Sequence, residues 1–174
     1  PIPLPELRMA SHANAGPVTF DARGDWTRWF NYFGLAVDAS ASSTVSSITI
    51  DASALPLTFN TNLARFNTGD VNGFDPANVT VSCSPDGKVY TLTFAAGSFG
   101  AGQSFRFGTS IFNPLQGSVQ EDADRMRGIV VTAHMADGST FTDTVRAHPR
   151  EAVNRFTGAG LVNAKAAVQA VSGR

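Results

Sequence analysis

The stretch from Ala77 to Phe94, ANVTVSCSPDGKVYTLTF, leaves little choice of local structure. Val79, Val81 and Cys83 alternate with Thr80, Ser82 and Ser84, and beyond Pro85-Asp86-Gly87 the residues Tyr90, Leu92 and Phe94 alternate with Thr91 and Thr93. A period of two is the mark of half-buried strands, whose successive side chains point to opposite faces. The corner has its own mechanism. Pro85 presets φ for a type I turn, Asp86 can hydrogen-bond local backbone, and Gly87 accepts the positive φ that closes a short hairpin loop. A β-hairpin is predicted, with Cys83 on its inward row. Ile129 to Met135 and Thr140 to Val145, joined by Ala136-Asp137-Gly138-Ser139, predict a second hairpin of the same design, although no fixed period makes the two a true repeat.

The remaining β-rich runs fit the same class. Strands are predicted around Val18-Thr19-Phe20, through the aromatic run Trp26 to Phe33 into Gly34-Leu35-Ala36-Val37, at Ser46 to Asp51, at Leu55 to Phe59 on an edge that tolerates Pro56, and at Ser104 to Phe107. Asn60 to Pro76 and Asn113 to Arg127 read as long polar loops, the kind that carries function or moves. Many short strands with turn signals between them and no interleaved helix predict an all-β fold, an antiparallel β-sandwich of jelly-roll-like type. Residues 1–16 are expected to be an extended N-terminal segment opening on PIPLPEL, 17–147 the sandwich, and 148–174 a linker and one short C-terminal α-helix. In that helix Leu161, Ala164, Val168 and Val171 share one face, and Ser172-Gly173 stops it. The proline-punctuated opening suggests a piece excised from a longer precursor.

Charge and composition narrow the function classes. With a formal net charge of -1 and scattered Lys and Arg, the chain lacks the basic patch that nucleic-acid backbones require, so no nucleic-acid partner is expected. No apolar run approaches the length of about 18 residues that a membrane-spanning helix needs. The single cysteine cannot form an internal disulfide and reads as a small buried hydrophobe. Low charge (16%) with abundant Ser, Thr, Ala, Gly, Asn and Phe is the look of a secreted, extracellular bacterial β-protein.

Thr157 to Val168, TGAGLVNAKAAV, resembles the segment that closes the catalytic domain of bacterial subtilisin-like serine proteases, where a glycine-rich turn leads into an alanine-rich last helix. The resemblance implies a subtilisin-like parent, whose catalytic domain would be the partner of this module. It does not bring the chemistry with it. Gly108-Thr109-Ser110 with Pro114 is similar to that family's nucleophile motif, yet Phe112 and Asn113 stand where the family has small residues, and Leu115 replaces its histidine. His12 lies in Ser-His-Ala-Asn, and no Asp-Ser/Thr-Gly segment exists, so the base and acid of a triad are missing and no catalytic residue is assigned.

Two candidate binding sites remain. Trp26, Trp29 and Tyr32 could present aromatic faces to sugar rings, the alternative to a core role for the Trp26 to Phe33 strand. Asp70, Asn72 and Asp75 place side-chain oxygens at close intervals around Gly73, which suits a calcium ion, though the run lacks the closing acid of a calcium-hand loop. Glu121 and Asp124 read as an exposed acidic loop, and His134 and His148 are not spaced as a helix-borne zinc pair. The sequence therefore predicts a non-catalytic β-sandwich accessory module of a secreted, subtilisin-like protease, serving stability, substrate or surface interaction. The alternative is a carbohydrate-binding module with a polysaccharide partner.

Overall fold

In the computed structural model the described residues are 10–23, 33–113 and 126–147, and they form an antiparallel β-sandwich. Thirteen strands are described: β1 (Ala10–Ala15), β2 (Val18–Arg23), β3 (Phe33–Val37), β4 (Val45–Asp51), β5 (Thr58–Phe59), β6 (Asn67–Asn72), β7 (Val79–Cys83), β8 (Val89–Phe94), β9 (Ser104–Gly108), β10 (Ile111–Phe112), β11 (Val130–Met135), β12 (Thr140–Thr144) and β13 (Arg146–Ala147). A six-stranded sheet runs β13-β1-β2-β3-β9-β6, a five-stranded sheet runs β12-β11-β4-β8-β7, and β5 pairs with β10 in a small third ladder. The predicted C-terminal helix lies outside the described residues.

Both predicted hairpins are present. In β7–β8, Val79 faces Phe94 and Cys83 faces Tyr90, and Gly87 adopts φ 71° at the corner. A side chain could not replace that glycine, because a Cβ there would lie 2.6 Å from the Phe59 carbonyl oxygen. Asp86 works as the turn chemistry requires, accepting from the Ser84 hydroxyl and the Lys88 amide. These bonds hold its carboxyl below the ordinary value. Lys88 then donates its ammonium to the carbonyls of Leu55 and Leu57, tying the hairpin to the β4–β5 connection.

Three sequence expectations are corrected. The segment 1–16 contains β1, which pairs with both β2 and β13. Its inward row is Ser11, Ala13 and Ala15, too small to register as an apolar alternation, yet fully buried. The polar loop Asn60 to Pro76 contains a short 3-10 turn at Leu63–Arg65 and the edge strand β6. Polar residues can form β6 because, among the described residues, it lies at the margin of its sheet and pairs only with β9. The strand predicted from Leu55 shrinks to β5, since Pro56 falls in a turn.

The core is an aromatic assembly. Phe74, Phe94, Phe99 and Phe105 meet with ring centroids 4.6–6.0 Å apart, and Phe20, Phe33 and Phe107 continue the contact along the six-stranded sheet. Ile48, Ile50, Leu92, Val131 and Ala133 supply the opposing face from the five-stranded sheet. Burying each large side chain is worth about 1.5–3 kcal/mol, so this layer outweighs any single polar contact.

One polar contact nevertheless crosses the outer side of the six-stranded sheet. Asp21 on β2 and Arg106 on β9 are separated by β3, yet Arg106 Nη2 lies 2.7 Å from Asp21 Oδ2. They meet because the intervening residue in the register is Gly34, where a Cβ would stand 2.1 Å from Asp21 Oδ1 and 2.4 Å from Arg106 Nη1. Arg106 is only 8% exposed. On the closed side of the sandwich the chain passes from β12 in one sheet to β13 in the other through buried Val145. Asp143 fastens this crossing: it takes 2.6 Å bonds from Arg146 and a 2.7 Å bond from the Asn14 amide, which lower its pKa.

Two outcomes are expected. Gly34→Ala should cost about 3 kcal/mol in urea unfolding, since it separates a largely buried ion pair without imposing a disfavoured φ. Asp143→Asn should lower stability by no more than about 1 kcal/mol at neutral pH. Because the folded carboxyl titrates below its unfolded value, its contribution is present above the unfolded pKa and is lost as pH falls through the folded one. The gap between wild type and variant should close on acidification, as read by melting temperature against pH.

Candidate functional site

The residues singled out for binding separate into two groups. Trp26, Trp29 and Tyr32 lie outside the described residues, as do Glu121 and Asp124. Phe33, the end of that aromatic run, is fully buried between Phe20 and Phe107.

Asp70, Asn72 and Asp75 lie on a bulged edge. The β6–β9 register slips between Gly69 and Asn72, and Asp70 adopts φ 44°, a left-handed conformation uncommon outside glycine. Asn72 resumes pairing opposite Ser104, and Gly73 turns the chain at φ 68°. The Gly73 carbonyl accepts from the Gln103 side chain. Phe74 then plunges into the aromatic core, stacking on Phe105 at 4.6 Å, and so anchors the loop. Asp75 caps the following 3-10 turn, Pro76–Asn78, by accepting from the Ala77 amide at 3.0 Å. Thus β6 carries Asp70 and Asn72, while the Asp75 carboxylate is already engaged in local structure. Among the described residues no group of three or more His, Cys, Asp and Glu side chains is arranged to hold a metal ion.

The Cys83 thiol and the Tyr90 phenol are both harder to ionise than usual. Burial, reinforced by Asp86, pushes the Cys83 thiol up from its ordinary value. Burial pushes the Tyr90 phenol up to about 12, outweighing the opposing Thr109 hydroxyl. Ser110 sits between β9 and β10, where its carbonyl accepts from the Asn60 amide at 2.8 Å.

A surface the sequence reading missed is the outer face of the five-stranded sheet. The register aligns Thr142, Thr132, Thr49, Thr91 and Ser82 in one row across all five strands. Two residues along, Thr140, His134, Ser47, Thr93 and Thr80 form a second row. Neighbours touch within the rows: Thr132 and Thr142 hydroxyls lie 3.1 Å apart, and Thr140 lies 3.4 Å from His134 Nδ1. The signal was present in the Thr-x-Thr and Thr-x-Ser spacings of β7, β8 and β12, but only strand order shows that they fall side by side.

Asp75→Ala should lower stability by about 1 kcal/mol through loss of the cap. Urea unfolding with calcium and with a chelator checks its origin, because a capping role predicts the same loss in both.

No protein-family model and no curated protein matches the chain. A cohesin module from a Clostridium perfringens ATCC13124 family 33 glycoside hydrolase resembles it at 11% identity with a TM-score of 0.34, over 81% of this chain and 94% of that module. At that distance the likeness carries no argument about function, and the conclusion that stands is architectural: an all-β, two-sheet antiparallel sandwich.

Proposed function

We propose that the chain is a non-catalytic accessory module of a larger secreted bacterial protein, serving stability or attachment. The observation that carries this reading is the placement of the strands that begin and end the described sandwich. Ser11 of β1 stands opposite Ala147 of β13, so the chain enters and leaves on neighbouring antiparallel strands, about 5 Å apart. A domain whose ends lie side by side can be carried by a host fold without pulling either apart. The upward shift of the Cys83 thiol and the Tyr90 phenol fits a scaffold role, since a nucleophile requires activation. A subtilisin-like parent is the further part of the proposal, and its support is the resemblance of residues 157–168 to that family's closing segment.

Grafting residues 10–147 into a permissive surface loop of a reporter enzyme tests the arrangement. Reporter activity should survive and a second cooperative unfolding transition should appear. Loss of activity, where a Gly/Ser insert of the same loop is tolerated, rejects the reading. The full chain should also leave fluorogenic peptide and ester substrates unturned, and a turnover abolished by Ser110→Ala would make it an enzyme instead.

A further inference from the structure

We propose that Asn72 is a site of spontaneous covalent modification, in which its side chain cyclises onto the Gly73 amide and loses ammonia. The reaction needs an asparagine carboxamide free to turn, a following backbone nitrogen that is unshielded, and water access. All three coincide here. Asn72 and Gly73 are both exposed, at the end of an edge strand and just past its bulge. A Cβ built on Gly73 meets nothing nearer than Gln103 Cγ at 3.5 Å, so no other residue crowds the Gly73 Cα. Among the described residues, no hydrogen bond holds the Asn72 carboxamide or takes the Gly73 N–H.

Other asparagines differ in the features that matter. Asn60 and Asn62 use their side-chain oxygens to hold the amides of Asn62 and Ala64, at 2.9 and 3.1 Å. Asn67 donates its side-chain nitrogen to the Arg65 carbonyl at 3.2 Å. Each is followed by a residue with a side chain, whereas Asn72 precedes glycine.

The step balances without an oxidant or cofactor. The Gly73 nitrogen attacks Asn72 Cγ, the N–Cγ bond forms, the Cγ–Nδ2 bond breaks, and ammonia departs carrying the proton lost from the amide. Water then opens the cyclic imide at either carbonyl, giving aspartate or isoaspartate. Both products add one negative charge beside Asp70. Isoaspartate also inserts a methylene into the main chain where β6 faces Ser104 and where the Gly73 carbonyl takes its bond from Gln103. The modification therefore loosens the end of β6 from β9.

Prolonged incubation of the folded full chain in mildly alkaline buffer, followed by peptide mapping, tests this. The peptide spanning Asn72-Gly73 should convert to an aspartate and isoaspartate pair at least an order of magnitude faster than any other asparagine peptide. Asn72→Gln, which forces a larger ring, should keep its original charge on ion exchange over the same period. Gly73→Ala should slow conversion as well, and Asn72→Gln keeps the test independent of any strain that alanine meets at φ 68°. An intact Asn72 peptide in the folded wild type, or conversion no faster than at Asn60, Asn62 and Asn67, overturns the proposal.

Discussion

The sandwich depends on one layer of phenylalanine rings shared between two sheets. Phe105 and Phe107 come from β9, Phe94 from β8, and Phe74 and Phe99 from connections, so strands distant in sequence are bound by the same contacts. Rings at these separations add about 0.5–1.5 kcal/mol per pair to the area they bury. Strand order follows from this constraint. A one-residue slip of β9 would exchange Phe105 and Phe107 for Ser104, Arg106 and Gly108, which places a guanidinium in the core and the rings in solvent.

Polar contacts act on that frame as constraints on geometry more than as sources of stability. A buried ion pair gains little over apolar packing, but losing one partner is costly, so Asp21–Arg106 penalises any arrangement that parts β2 from β9. Gly34 permits the pair by having no side chain. Asp143 plays a lighter part at the β12–β13 crossing, where its partner Arg146 is largely exposed and their pairing is correspondingly weak. At the opposite margins the chain passes from β6 in one sheet to β7 in the other through residues 73–78. There the bulge at Asp70 and Val71 interrupts the pairing surface of β6, a familiar protection against edge-to-edge association.

The surfaces differ in kind. The outer side of the five-stranded sheet carries two rows of short hydroxylic residues with a single histidine among them, while the outer side of the six-stranded sheet carries the Asp21–Arg106 pair. The bulged loop after β6 is pinned at Phe74 and capped at Asp75, and Asn72-Gly73 is the exposed step that leads into them.

The sequence by itself determined the elements whose signals are local. Alternation and turn chemistry sufficed for the hairpins at Val79–Phe94 and Val130–Thr144, because side-chain direction and corner φ are set within a few residues. It also determined the all-β class. Strand β1 was hidden because its buried row is serine and alanine, and β6 because an edge strand needs no apolar face. Tertiary structure alone decided which strands neighbour one another. That choice set Asp21 against Arg106 across Gly34, aligned the hydroxyl rows, and brought Ser11 beside Ala147, since pairing between distant strands is fixed by ring packing and not by any pattern readable along one of them.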